Sequence, residues 1–237
     1  MGESEIMNET MRNERKFLLS LEEFYRLDGY FSGFLMQDPH NAQNGYRVRS
    51  LYFDTLDERD FYEKEDGLEV RRKIRLRIYD PDDGWALLEM KQKQGSSQRK
   101  RSVRIGREDA KALADGNYGV LLKYSESFAS ECFGIMNLYS YRPKTIVEYQ
   151  RKAYMAKENK IRLTFDHHIT ASESCFDIFC RQLSLNPVWD PGLTVFEVKY
   201  NGFLLSYIKD AVNQCGREEL SVGKYCLGRS ASLHYLF

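Results

Sequence analysis

The chain has no net charge to spend on a general polyanion coat, since 35 Lys and Arg balance 35 Asp and Glu among its 237 residues. A protein that holds nucleic acid along its outer surface carries a basic excess. That class is disfavoured here, whereas an anion site made by local segregation of charge is not. Cysteine is scarce and unpatterned: Cys132, Cys175, Cys180, Cys215 and Cys226 form an odd set without a CxxC pair, which argues against a zinc framework or a disulfide scaffold. The four histidines, His40, His167, His168 and His234, lack metal-ligand spacing. There is no P-loop, no signal-peptide apolar core and no apolar run near the roughly 20 residues that a transmembrane helix needs. The plain expectation is a reduced, soluble, cytoplasmic protein. With five prolines, no Pro/Gly-rich linker and no internal repeat, residues 11–237 are expected to form one domain behind a flexible leader at residues 1–10.

Strand signals dominate what is present. They cover residues 13–19, 46–53, 68–79, 85–94, 100–105, 145–154, 161–166 and 194–200. Pro81-Asp82-Asp83-Gly84 is a turn, because Pro fixes φ and Gly supplies the permissive position. Residues 93–100, with Gly95-Ser96-Ser97, read as a mobile hairpin connection. Helices are expected at 21–27, with Ser20 as N-cap and Glu22 and Glu23 in the first turn, at 107–114 ended by Gly116, at 125–136, and at 204–213.

Residues two apart on a strand share a face. In Arg71-Arg72-Lys73-Ile74-Arg75-Leu76-Arg77-Ile78 one face receives Arg71, Lys73, Arg75 and Arg77, and the other Ile74, Leu76 and Ile78 after Arg72. Leu87, Glu89, Lys91 and Lys93 share a face of the next strand; Glu14 pairs with Lys16, Tyr149 with Arg151, Arg162 with Thr164 and Asp166, and Glu197 with Lys199. For any one strand a solvated charged face is the simpler reading. For the set, like charges side by side demand a counter-anion or interspersed carboxylates. The expected architecture is therefore α+β: a closed antiparallel β-barrel with a polar interior and a few helices packed outside. Arg forks and Lys ammonium groups suit phosphate. The inward carboxylates Glu14, Glu89 and Glu197 suit a divalent cation bridging phosphate oxygens.

The ordered strings SLYFDT (50–55), KIRLRIY (73–79), LLEMKQK (87–93), EYQRKAY (148–154), RLTFD (162–166), FEVKY (196–200) and SVGKYCLG (221–228) resemble the catalytic domain of the vacuolar transporter chaperone (VTC) polyphosphate polymerases, within the triphosphate tunnel metalloenzymes. The resemblance implies a tunnel of antiparallel strands with basic walls and a divalent cation, Mn²⁺ or Mg²⁺. It implies that Lys16, Arg75, Arg77, Lys91 and Arg151 clamp the reacting phosphates, and that Lys93, Lys100, Tyr149, Arg162, Lys199 and Lys224 bind phosphate. Glu197 and Glu14 would hold the metal. Lys93 stands where eukaryotic relatives can carry His, and Arg99 or Arg101 could take the place of Lys100. The hydrolytic branch opens with E-x-E-x-K, where this chain has Arg12, Glu14 and Lys16; the missing carboxylate favours polymerase over hydrolase.

The implied activity is transfer of the γ-phosphate of ATP to a growing inorganic polyphosphate chain, with ATP and polyphosphate as partners, no nucleic acid, and a separate partner for any membrane coupling. Its rivals are hydrolysis of triphosphate or polyphosphate by the same site, and a non-catalytic polyphosphate-binding module. His167 and His168 are expected at a turn or rim, and Trp85 and Trp189 in packing.

Overall fold

A computed structural model describes residues 8–9, 13–95, 97–214, 219–221 and 223–233. The strands are β1 (Asn8–Glu9), β2 (Asn13–Ser20), β3 (Met36–Gln37), β4 (Tyr46–Asp54), β5 (Val70–Ile78), β6 (Trp85–Gln94), β7 (Ser97–Gly106), β8 (Arg142–Met155), β9 (Arg162–Ser172), β10 (Asn186–Pro187) and β11 (Leu193–Tyr200). The helices are α1 (Leu21–Ser32), α2 (Arg59–Glu65), α3 (Arg107–Ala114), α4 (Ser127–Leu138), α5 (Ser206–Asn213) and α6 (Lys224–Leu233). All strands join one antiparallel sheet in the order β1-β7-β6-β5-β4-β8-β9-β11-β2, with β10 on β9 and β3 on β8.

The sheet is not closed, which corrects the expected barrel. Closure would pair β2 with β7, and each of those edges is taken by something else. Along β7, Asn8 and Glu9 pair with Lys100 and Arg99. Along β2, Glu219 bridges to Phe17, and the Leu220 N–H donates to the Lys16 carbonyl at 2.8 Å. The edges still come within side-chain reach, for Lys91 on β6 meets Glu14 on β2 at 3.4 Å. The architecture is thus a strongly curved, open antiparallel sheet.

Period-two alternation explains its two faces. The convex face carries two apolar layers. Ile74, Leu76 and Ile78 of β5 and Leu88 and Met90 of β6 pack against α3, α4 and the short turn of helix at Tyr118–Lys123. Phe17, Phe165, Phe196 and Val198 pack against α1 and α5. Helix α1 begins as the sequence predicts, in a capping box: the Glu23 N–H donates to the Ser20 hydroxyl at 3.3 Å and the Ser20 N–H to the Glu23 carboxylate at 2.7 Å.

The concave face is charged over one part and apolar over another. The apolar part, with Val48, Val147, Ala171 and Val195, is filled by Tyr225 and Cys226 of α6. This helix is missing from the sequence reading, and it corrects the expectation that every helix packs outside. It sits close because residue 228 is Gly; a Cβ there would meet Val147 Cγ2 at 2.9 Å. The SVGKYCLG and SLYFDT strings meet at this point. Buried Asp54 accepts the N–H groups of Thr55, Asp60 and Phe61, opening α2, and also the Tyr225 hydroxyl at 2.6 Å. Arg229 ties the same helix to Glu58 and Glu173.

Strand β9 runs through to Ser172 instead of ending at Asp166, so His167 and His168 lie within a strand. The pairing with β8 shifts there, His168 has φ of 50°, and His167 is buried against Phe24. A bulge breaks the alternation, which is what makes the strand look finished. The hairpin expected over 93–100 is shorter too, because β6 and β7 pair as far as Gln94 and Ser97.

Gly45, just before β4, has φ of +86°, and a Cβ there would lie 2.2 Å from the Arg151 carbonyl oxygen. Both the left-handed backbone and the clash oppose a side chain. Gly45→Ala is expected to lower unfolding free energy by at least about 2 kcal/mol, read from urea denaturation curves.

Candidate functional site

The charged part of the concave face encloses a cavity of about 1670 Å³, larger than the roughly 300–1,000 Å³ usual for small-molecule pockets. Among the described residues its wall holds eighteen Lys and Arg against five Glu. Local segregation therefore makes a strongly positive site in a chain of zero net charge. All the residues singled out from the sequence line it: Glu14 and Lys16 of β2; Arg75 and Arg77 of β5; Lys91 and Lys93 of β6; Lys100 of β7; Tyr149 and Arg151 of β8; Arg162 of β9; Glu197 and Lys199 of β11; and Lys224 of α6.

Buried carboxylates hold these cations in place. Glu89, 2 % exposed, receives Arg75 Nε at 2.7 Å, lies 3.7 Å from Arg77 and pairs with Lys100. Arg75 also donates to the Tyr52 hydroxyl at 2.9 Å. Burial alone would raise the Glu89 pKa, but Arg75, Arg77 and Lys100 outweigh it and hold the group far below the carboxylate range. A second knot forms at Asp166, which is fully buried. Arg151 reaches it with two hydrogen bonds, 2.6 and 2.8 Å, and Lys224 pairs with it. Against the burial penalty, Arg151 and Lys224 pull its pKa down to about 2. Burial works against the Lys224 ammonium, yet Asp166 outweighs it and the pKa rises.

The sequence reading missed Asp166 and Tyr52 as site groups. Asp166 shares a face with Arg162 and Thr164, so alternation carried the signal, but its partners are not visible on one strand. Lys100 and its flanking arginines Arg99 and Arg101 all line the cavity. Lys100 lies opposite Lys91 on the concave side, whereas Arg101 turns to Glu131 of α4 and to Gln92. Arg12 lies outside the described residues, as do Cys215 and His234.

Glu14 and Glu197 sit on adjacent strands, diagonal to one another, since Lys16 faces Glu197 and Glu14 faces Lys199 in the β2–β11 register. Lys16 is 2.6 Å and Lys91 3.4 Å from Glu14; Lys199 is 2.8 Å from Glu197. Burial opposes ionisation of both carboxylates and Glu197 further opposes that of Glu14. Lys199 and its basic neighbours prevail, and both pKa values are lowered. Among the described residues no three His, Cys, Asp or Glu side chains are grouped to hold a metal. Two ionised carboxylates on one diagonal do fit a divalent cation that draws most of its ligands from phosphate and water, as Mg²⁺ does. They do not form an all-protein cage. Glu89, expected beside them, is committed to Arg75 and Lys100 instead.

Burial strips water from Lys91 first, and Lys16 and Lys199 add repulsion, so its pKa falls to about 8 despite Glu14. Its side chain keeps 43 % of its surface exposed. That surface faces the cavity, where the basic wall rather than bulk water sets the environment.

Carboxylates whose folded pKa lies below the unfolded value contribute stability that is complete above roughly pH 5 and is lost as pH falls through the folded value. The melting temperature should therefore drop steeply between about pH 4 and pH 2. Asp166→Ala, which strands two buried cations, should cost about 3–5 kcal/mol at neutral pH and shrink that acid limb; thermal melts across pH read both.

Known proteins share the fold and, at the level of the family, the sequence. The family model described as the VTC domain matches residues 11–233. No curated protein matches the sequence. Among solved structures, a Bacillus halodurans protein provisionally named an adenylate cyclase superposes with a TM-score of 0.55 at 13% identity, covering 92% of this chain and 96% of its own. A Hippeastrum protein, provisionally named an adenylyl cyclase and described as having dominant triphosphatase activity, superposes with a TM-score of 0.52 at 14% identity, again covering 92% and 96%. At these identities the likeness concerns the fold. The family match spans nearly the whole chain, every quoted motif and the entire cavity wall, and on that ground the chain belongs to the VTC domain family.

Proposed function

We propose that this protein is an ATP-dependent polyphosphate polymerase, moving the γ-phosphoryl group of ATP onto the end of an inorganic polyphosphate chain within the basic cavity. Membership of the VTC domain family carries a polyphosphate- or triphosphate-related function. The observation that carries the finer reading is the excess of eighteen cations over five carboxylates around one cavity, far more charge than a single small anion requires. No helix among the described residues is long and apolar enough to cross a membrane.

Phosphoryl transfer depends on positioning and charge neutralisation more than on covalent help from the protein. Arg75, Arg77, Lys91, Arg151 and Lys16 clamp the triphosphate. Lys93, Lys100, Tyr149, Arg162, Lys199 and Lys224 guide the chain. An oxygen of the chain's terminal phosphate attacks the γ-phosphorus, the bond to the β-phosphate oxygen breaks, and ADP leaves. The attacking oxygen is already ionised, so no general base is needed. Glu197 and Glu14 would hold Mn²⁺ or Mg²⁺, which when bound neutralises charge on the phosphate oxygens.

Hydrolysis by the same site is the second reading, favoured by the triphosphatase activity ascribed to the Hippeastrum protein. Incubation with ATP and Mn²⁺ or Mg²⁺ separates the two. The polymerase yields chains that resolve as a ladder on a gel; free phosphate without chains would exclude it. Glu197→Ala should abolish turnover while tripolyphosphate still binds, and intact turnover in that variant would count against the metal assignment. Because Lys91 loses its proton near pH 8, tripolyphosphate affinity should weaken as pH rises through 8. Lys91→Arg, charged throughout, should flatten that dependence in calorimetric titrations.

A further inference from the structure

The basic wall ends at one lip of the cavity in aromatic rings. Tyr46 opens β4 and Tyr79 follows β5; both line the cavity, with ring centroids 6.1 Å apart. Their ring faces, unlike a tyrosine hydroxyl, offer nothing to a phosphate. The Tyr46 hydroxyl accepts from Arg162 at 3.1 Å, and Arg162 is itself paired with Asp38 at 2.6 Å. The His40 ring packs 5.8 Å from Tyr46. Tyr46 is thereby fixed, and Tyr79 beside it is 38 % exposed.

Tyr79 is also held from behind. Its N–H donates to the Asp83 carboxylate at 3.0 Å, and Asp80 N–H donates to the same oxygen at 2.9 Å. The turn through Pro81 and Asp83 is gripped by Arg107, whose guanidinium donates to the Pro81 and Asp83 carbonyls at 2.7 and 3.0 Å. An exposed ring on a braced turn is a preorganised stacking surface: little conformational freedom remains to be lost when a flat ligand settles on it. Its position at the end of a phosphate-binding wall selects ligands with a planar group attached to a phosphate chain.

We infer that Tyr79, backed by Tyr46, is the platform for the base of a nucleoside triphosphate, and that it distinguishes such a donor from inorganic polyphosphate. The inference rests on the reading of the cavity as a phosphate site. Stacking uses the π-face that every base has, so the platform favours nucleotides over inorganic chains and larger purines over pyrimidines, without telling ATP from GTP.

Calorimetric titration of the full chain with ATP, GTP and inorganic tripolyphosphate, for wild type, Tyr79→Ala and Tyr79→Phe, tests this. Loss of one stacking partner is worth roughly tenfold in affinity. Tyr79→Ala should weaken ATP and GTP about equally, by roughly that factor, leave tripolyphosphate unchanged, and be rescued by Tyr79→Phe. Equal losses for ATP and tripolyphosphate would mean that Tyr79 only shapes the cavity, and no loss for either would remove the platform; both outcomes overturn the inference while leaving the phosphate site intact. Wild-type protein that binds neither ligand overturns the phosphate reading itself, and the platform with it.

Discussion

Arg75, Arg77 and Lys100 converge on Glu89, and Arg151 and Lys224 converge on Asp166. Those two buried carboxylates let the cations of the concave face sit side by side. Two like charges about 5 Å apart at an effective dielectric near 20 repel by roughly 3 kcal/mol, and the wall sets many such pairs side by side. Each carboxylate cancels one charge but is shared by two or three cationic heads. Positive charge remains in excess over the cavity, so the field that would attract a polyanion survives the neutralisation that lets the strands fold.

The open edges and the packing of α6 complete the concave face. Here the β2 edge is given to Glu219 and Leu220, and the β7 edge to Asn8 and Glu9. The apolar part of the concave face is filled by α6, whose Tyr225 bonds to buried Asp54 and whose Arg229 binds Glu58 and Glu173. The helix therefore does two jobs. It supplies the apolar packing that the charged strands cannot, and its first residue carries Lys224 to Asp166.

Much of this was legible in the sequence because a strand's period is short. Alternation alone put Arg71, Lys73, Arg75 and Arg77 on one face, and the structure lines the cavity with all four. The Ser20 cap and the Pro81–Gly84 turn were legible for the same reason, each being settled within a few residues. What was hidden depends on distant contacts. Edge occupancy by Glu219, the partners of Asp166 and the seating of α6 join segments far apart in the chain, and no local pattern encodes them. The bulge at His167 and His168 misled in the opposite direction, since one extra residue resets the alternation and makes a continuing strand look complete.

The division of labour between Arg and Lys within the wall has a physical sense of its own. Arg75, Arg77 and Arg151 keep only 21, 9 and 13 % of their side-chain surface exposed and are locked by carboxylates. Lys91 and Lys100 keep 43 and 49 %. A guanidinium fork loses little freedom when it grips a second oxyanion, because its orientation is already fixed, whereas an ammonium group on a flexible stem offers charge with little directional demand. On the proposed polymerase reading, fixed forks suit the place where one phosphorus must be held still for attack. On the same reading the more exposed ammonium groups, each still paired with a carboxylate, would neutralise phosphate charge with less directional demand. On that reading a wall of arginines alone would lack adaptable point charge, and one of lysines alone would leave the reacting phosphate without an orientation.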